Sequence, residues 1–208
     1  PGERSMNAKR TRVEQYIREY TETQDYGKAV ELTLELYGSE LLGFFMGSIQ
    51  DQDAVEDIFQ IFCLEIWRGL PRFEWRSSLR TWLYSIARVL IVKHMRDPYR
   101  RRSESLSTAS EENIPMRQAR TMTQTWRKTS TKNRLWELCA ELPPTDRQLL
   151  LLRIGRQMAW LDIAAILHEG ESDESDLKRA SARLRKRFER LKNQLREQMG
   201  DDATPPTS

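Results

Sequence analysis

The sequence predicts an all-α protein made of two small helical domains joined by a flexible linker. Apolar residues recur at steps of three and four through most of the chain, which is the period of an amphipathic helix. The alternation typical of strands is nearly absent, and no Asn-Gly or Asp-Gly hairpin signal occurs. Residues 103–113 are rich in Ser, Thr and Glu and separate two apolar blocks. A polar interval of this kind is typical of a tether, so it predicts two groups of helices.

Composition shifts divide the chain into five segments. Residues 1–5 precede the first methionine, Met6, and are set aside as a candidate expression remnant. The C-terminal tail is acidic, then rich in Pro and Thr, and is expected to be disordered. The segments are an N-terminal extension (1–26), a first domain (27–102), a linker (103–133), a second domain (134–199) and the tail (200–208).

Charge, hydropathy and cysteine usage narrow the class of protein. The formal net charge is only +3 although the pI is about 9.0. Local clusters of charge are therefore more informative about binding partners than the net charge. No apolar run approaches the roughly 20 residues of a membrane helix, and no signal peptide pattern is visible. Cys63 and Cys139 lie far apart in apolar stretches and are expected to be reduced. These features predict a cytoplasmic protein without membrane insertion.

The segment DAVEDIFQIFCLEIW, residues 53–67, predicts the first strongly amphipathic helix. Its predicted buried stripe is Val55, Ile58, Phe59, Phe62 and Ile66. A second stripe is polar and consists of Asp53, Glu56, Asp57 and Gln60. The acids suit either a solvated helix N-terminus or a docking surface for a basic partner. Ile61, Leu64 and Trp67 widen the apolar arc, which favours a contact surface.

The segment RSSLRTWLYSIAR, residues 76–88, combines hydroxyls, aromatic rings and cations. Ser77 or Ser78 can cap the start of a helix. The apolar spacing places Trp82 in the core and leaves Arg80, Tyr84 and Arg88 on one outward line. Arginines that hold phosphates around a ring that stacks on bases suit single-stranded nucleic acid.

The loop GLPRFEWR, residues 69–76, carries Phe73 and Trp75 between Arg72 and Arg76. Aromatic rings on such a loop could hold a base out of its stack, or they could pack into the core while the arginines stay solvated. Basic residues after the helix, including Lys93 and Arg96, extend the positive surface.

The segment ELPPTDRQLLLLRIGRQMAWLDIAAIL, residues 141–167, predicts two helices of the second domain. The first begins near Pro143 and Pro144, with Thr145 or Asp146 as its cap, and Gly155 ends it. A polar turn and a long basic helix follow. This order is that of a helix-turn-helix, whose last helix enters the major groove. An ordinary amphipathic helix or a coiled-coil strand is the alternative.

The sequence shows no catalytic constellation. His94 and His168 are the only histidines and lie in different domains, and there is no Gly-rich phosphate loop, metal-ligand spacing or nucleophile elbow. Neither an enzyme activity nor a cofactor or metal is therefore expected.

The quoted motifs, in their order and separation, resemble an extracytoplasmic-function (group IV) bacterial RNA polymerase sigma factor of the sigma-70 family. DAVEDIFQIFCLEIW and RFEWRSSLRTWLYSIAR resemble sigma region 2, and LPPTDRQLLLLRIGRQMAWLDIAAIL resembles region 4. The resemblance covers most of the chain outside its ends and the linker. Val89 stands where the family often has Asn, Lys93 where it often has Asp, and Ile61 where an acid is usual.

The resemblance implies a non-catalytic transcription initiation factor of the bacterial cytoplasm. Such a factor binds the clamp and flap of core RNA polymerase, recognises the minus-10 and minus-35 promoter elements and promotes DNA opening. An anti-sigma factor is a candidate further partner. The implied polymerase contacts are Asp53, Glu56, Asp57 and Gln60. The implied minus-10 contacts are Arg72, Phe73, Trp75, Arg76, Ser77, Arg80, Tyr84, Arg88, Lys93 and Arg96. The implied minus-35 contacts are Lys178, Arg179, Arg183, Lys186 and Arg187.

Two other functions remain open from the sequence. One is a standalone helix-turn-helix regulator that binds duplex DNA without polymerase. The other is a nucleic-acid enzyme such as a nuclease. The turn before the last helix is longer and more acidic than is usual in the family. It therefore leaves open whether Lys178 and Arg179, or Arg183 and Arg187, meet the bases.

Overall fold

The computed structural model describes residues 2–49, 51–96, 141–168 and 173–201. Every regular element in these ranges is a helix, so the all-α fold class is confirmed. None of these helices is both long and apolar enough to cross a membrane. The chain forms two compact units, Pro1–Thr131 and Lys132–Ser208. The predicted linker, Cys139 and nearly all of the predicted tail lie outside the described residues.

The described part of the first unit contains four helices and one short 3₁₀ turn. They are α1 (Gly2–Glu22), α2 (Tyr26–Ser48), α3 (Gln52–Gly69), the 3₁₀ turn (Leu70–Arg72) and α4 (Leu79–Arg96). Helix α2 is the central element, because it packs against α1, α3 and α4. Most of its buried residues are apolar, as a helix with neighbours on several sides requires.

Short polar side chains cap three of these helices. The carboxylate of Asp25 accepts the backbone N–H of Lys28 at the start of α2. Asp51 accepts two backbone N–H groups at the start of α3. Ser78, one of the two serines predicted as a cap, accepts the N–H of Thr81 at 3.0 Å. Each cap satisfies a donor that the first helical turn leaves without a partner.

The core of the first unit contains the apolar stripe that the sequence predicts for α3. All five of its residues are buried, which confirms that prediction: Val55, Ile58, Phe59, Phe62 and Ile66. Phe45 of α2 meets the rings of Phe59 and Phe62 edge to face at 5.9 and 5.3 Å. Cys63 is buried beside them with a free thiol, and burial raises its pKa.

The second unit, over the residues that the structure describes, contains three helices around a smaller core. The first helix continues into a turn of π-helix that ends at Gly155, the residue predicted to end it. Leu149, Leu152 and Phe188 are among the buried residues. The elements are α5 (Pro144–Leu150), the π turn (Leu151–Gly155), α6 (Trp160–Leu167) and α7 (Glu174–Asp201).

The predicted cap of α5 is wrong, and two apolar side chains of the second unit lie on its surface. Ile154 is 53% exposed and Leu161 is 48% exposed. The π turn widens the helix at Ile154, which changes the direction of its side chain relative to a regular helical period. Asp146 does not cap α5, because its carboxylate accepts a hydrogen bond from Arg187 of α7 instead.

Candidate nucleic-acid interface

The polar stripe of α3 lies on one face of the helix and is accessible to a partner. Spacings of three and four residues bring Asp53, Glu56, Asp57 and Gln60 onto neighbouring positions. Asp53 is exposed and the other three are half-buried. Asp53 also lies in the first helical turn, where the helix dipole favours an acid. The stripe is therefore a compact acidic surface near the N-terminus of α3.

A stack of aromatic rings follows the other end of α3. Trp82 of α4 stacks on Phe73 with ring centroids 4.7 Å apart, and Phe73 contacts Trp75 at 4.9 Å. All three rings are half-buried, so the stack is accessible to solvent along part of its length. Trp82 lies against Gly69, where a Cβ atom would come within 2.9 Å of the indole ring. Only glycine allows this close approach of the ring to the end of α3.

Trp75 lies at the outer end of this aromatic stack in an unusual backbone conformation. Its φ of 57° is in the left-handed region, which a bulky residue rarely adopts unless its surroundings hold it there. The guanidinium of Arg18, from α1, lies over the Trp75 ring, 5.5 Å from its centroid. The loop is thus fixed by Phe73 on one side and by a cation from the N-terminal helix on another.

The outward cation–ring–cation line predicted for α4 is wrong. Tyr84 is fully buried and meets Phe44 edge to face at 5.0 Å, while Arg88 is only 8% exposed. Trp82, predicted to lie in the core, is the half-buried ring that joins the aromatic stack. The reason is that α4 packs against both α2 and α3, which buries a wider arc of the helix than one apolar stripe.

A half-buried acid, Glu40, accounts for the inward direction of this face of α4. Glu40 of α2 accepts a hydrogen bond from the Tyr84 hydroxyl at 2.9 Å and forms an ion pair with Arg80 at 2.5 Å. Arg10 of α1 forms a second ion pair with Glu40 at 3.0 Å. We call these four side chains the Glu40 cluster. Arg80, predicted to contact DNA, is therefore committed to a structural ion pair that joins α1, α2 and α4.

Neither Glu40 nor the role of α1 was predicted from the sequence. Glu40 is the one charged residue in the otherwise apolar or small segment 37–48 of the sequence. A lone acid in such a segment indicates a partner in the core, because carboxylates are rarely buried without one. Helix α1 adds a further contact of this kind, since Glu14 accepts a hydrogen bond from the buried Tyr37 hydroxyl. Burial, followed by that bond, raises the pKa of Tyr37.

The remaining predicted minus-10 residues lie on the surface. Arg72, Arg76 and Ser77 are exposed in the loop between α3 and α4, and Lys93 and Arg96 are exposed near the end of α4. Arg76 pairs with Glu74 across a highly exposed surface, where such a pair contributes little. Together with Phe73 and Trp75, the loop residues form one aromatic and basic patch.

The predicted minus-35 residues all lie exposed on α7 but differ in their neighbours. Lys178 pairs with Glu174, Arg179 with Asp176, and Arg187 with Asp146. The hydrogen bond to Asp146 raises the pKa of Arg187. Arg183 and Lys186 form no ion pair with another described residue. They line a groove of about 480 Å³ between α6 and α7, together with Arg187 and Arg190.

Both units thus present basic surfaces on helical scaffolds, and the first also presents an acidic one. The fold and surfaces are those of an all-α protein that carries aromatic and basic patches and a separate acidic stripe. Comparison with known proteins is more specific. Residues 34–102 match the family described as Sigma-70 region 2. This range contains the acidic stripe of α3, the aromatic stack and Glu40.

A curated relative supports the same family. The chain is 31% identical over 78 residues to the ECF RNA polymerase sigma factor SigX of Bacillus subtilis (strain 168). The match covers 38% of this chain and 40% of that protein, so the chain spans about two-fifths of the length of the relative it matches. Residues 34–102 are thus similar in sequence to sigma-70 region 2 domains. The two comparisons support an extracytoplasmic-function sigma factor of the sigma-70 family, which confirms the family predicted from the motifs.

Proposed function

We propose that the protein is a sigma factor that binds core RNA polymerase, recognises minus-10 and minus-35 promoter elements and promotes DNA opening. The observation that carries this proposal is the half-buried aromatic stack ending at Trp75, within a region 2 domain and among exposed arginines. Unstacked bases need a ring to stack on and a cation for the phosphate, and this patch offers both. A regulator that reads only duplex DNA has no use for such rings.

The acidic stripe of α3 supports docking to polymerase. Its members, Asp53, Glu56, Asp57 and Gln60, are accessible and concentrate negative charge on one face, which suits a basic partner surface. The half-buried Ile61, Leu64 and Trp67 extend the accessible apolar surface of the same helix. An acidic stripe bordered by apolar side chains is a suitable contact for a protein and a poor one for DNA.

The loop between α3 and α4 supports recognition of the single-stranded minus-10 element. Phe73 and Trp75 offer rings, and Arg72, Arg76 and Ser77 offer donors to phosphate. Lys93 and Arg96 extend this basic surface at the far end of α4. Tyr84 and Arg88 are left out of the proposed contacts because they are buried, and Arg80 because it is held by Glu40.

Helix α7 supports duplex recognition at the minus-35 element. Arg183 and Lys186 are the strongest candidates for direct contact, because Lys178, Arg179 and Arg187 each have an acidic partner within this unit. A phosphate or a base would have to compete with those carboxylates. We therefore favour a register in which Arg183 and Lys186, rather than Lys178 and Arg179, meet the bases.

Run-off transcription tests the proposal directly. The purified chain and core RNA polymerase, mixed over a library of genomic fragments, should yield transcripts that start at defined sites sharing one promoter motif. Absence of any specific transcript would refute the sigma function. Tight duplex binding by the chain alone, without such transcripts, would favour a standalone regulator. Degradation of DNA in the presence of a divalent metal would indicate a nuclease.

A further inference from the structure

We propose that Arg18 of α1 is a phosphate contact for the single strand that the aromatic loop holds, and that α1 is therefore part of the nucleic-acid surface. This inference rests on the proposed function. It assigns a residue outside both the 34–102 match and the predicted minus-10 set. The observation that supports this inference is that the Arg18 guanidinium lies 5.5 Å from the Trp75 ring centroid.

The position of Arg18 brings a cation to the outer end of the aromatic stack. The ring contacts run from Trp82 through Phe73 to Trp75, and the Arg18 guanidinium lies over the Trp75 ring. A strand whose base stacks on these rings must carry its phosphates along their edge. A guanidinium next to the outermost ring is well placed to meet such a phosphate, and it can do so while it remains stacked on the indole.

The charge of Arg18 remains available to a ligand. Its side chain is 58% exposed, and its Nε donates to Glu22 at 3.0 Å. A guanidinium has five N–H donors, so one bond to an exposed carboxylate leaves most of them for another acceptor. An exposed pair of this kind is weak, and a phosphate with its higher charge can compete for the arginine.

Arg18 could instead act only as packing for Trp75, and the two roles differ in one measurable quantity. A phosphate contact releases counterions, so it adds about 0.7 to the slope of log affinity against log salt concentration for a single strand. A packing role changes the affinity through the position of the ring but leaves this slope unchanged. The salt slope therefore separates the two roles even if both lower the affinity.

The experiment uses the full chain bound to core RNA polymerase and short single-stranded DNA oligonucleotides of random sequence. Fluorescence anisotropy would give the affinity over a salt series, with core polymerase alone as the reference. We expect Arg18→Ala to lower the slope by about 0.7, and Arg18→Lys to retain most of it. Glu22→Gln should raise the affinity, because it removes the competing carboxylate. Arg12→Ala is the matched control, since Arg12 is exposed on the same helix and contacts Tyr16 instead.

The possible outcomes separate this inference from the proposed function. If the wild-type complex binds the strand better than core alone but Arg18→Ala keeps the wild-type slope, the inference is refuted and the proposed function stands. If Arg12→Ala lowers the salt slope as much as Arg18→Ala does, the change in slope comes from the net charge of α1 rather than from a specific contact. The inference is then also refuted. A wild-type complex that binds no better than core alone would refute both.

Discussion

Replacement of Tyr84 by Phe tests the most consequential difference between the sequence pattern and the structure. The substitution keeps the ring and removes only the hydroxyl, which donates to Glu40 at 2.9 Å. If Tyr84 stacked on bases from the surface, as the sequence pattern predicts, the ring alone would suffice and stability would change by less than about 0.5 kcal/mol. In the structure the ring is fully buried and the hydroxyl belongs to the Glu40 cluster.

The size of the effect follows from the partners of Glu40. A hydrogen bond to a charged group contributes about 1.5–3 kcal/mol to stability. Glu40 keeps its ion pairs with Arg10 and Arg80 after the substitution, so we expect the low end, about 1.5 kcal/mol. For a domain of this size each kcal/mol lowers Tm by about 4–8 °C, which gives a decrease of about 6–12 °C. Tyr84→Ala also removes the ring, and we expect a loss of about 3–5 kcal/mol.

Differential scanning calorimetry of the full chain measures these changes. The transition of the first unit should move while that of the second stays in place. Tyr16→Phe is the matched control, because Tyr16 is exposed and its hydroxyl accepts a hydrogen bond from the exposed side chain of Arg12 at 3.3 Å. We expect that control to leave Tm nearly unchanged. An unchanged melting curve for Tyr84→Phe, together with weaker single-strand binding by Tyr84→Ala, would refute the buried position and restore the outward stacking role.

Three further predictions concern the docking stripe, the core thiol and the second unit. Substitution of both Glu56 and Asp57 by Lys should weaken core polymerase binding in a pull-down titration, while the circular dichroism spectrum stays native. Glu65→Lys on the same helix should leave that binding unchanged. Equal affinities of the double variant and the wild type for core polymerase would refute the docking stripe. In a Cys139→Ser background, a thiol reagent at pH 8 should modify Cys63 only after denaturation. The reason is that the Cys63 side chain is buried and its raised pKa leaves little thiolate. Rapid modification of the native protein would contradict this prediction. Asp146→Asn should lower the stability of the second unit by about 1.5–3 kcal/mol, because it weakens the charged hydrogen bond from Arg187. If the calorimetric transition of that unit does not move, the bond does not contribute as expected.

The sequence predicted what depends on local period and local chemistry. The stripe of α3, the cap at Ser78 and the end of the helix at Gly155 each follow from residues within a few positions of one another. The family could be predicted as well, because its motifs are contiguous. Helical periodicity, however, identifies one apolar face and does not count how many neighbours a helix has.

The errors arose where two distant segments meet. Tyr84 is inside because Glu40, more than forty positions earlier in the chain, supplies a partner for its hydroxyl. Asp146 is not a cap because Arg187 reaches it from α7. Arg18 could not be assigned to the aromatic loop, because the contact with Trp75 exists only once α1 has packed on α2. A polar residue that the local sequence pattern places on the surface can therefore form a pair inside the folded protein with a residue from a distant segment.

Helix α3 fixes the separation between two surfaces proposed for different partners. Its acidic stripe ends at Gln60 and the aromatic stack begins against Gly69, a distance of about 13 Å along the helix axis. A helix of this kind acts as a rigid spacer, so one inserted residue would lengthen it by about 1.5 Å and rotate one surface by about 100° relative to the other. The length of α3 between Gln60 and Gly69 should therefore tolerate substitution far better than insertion or deletion.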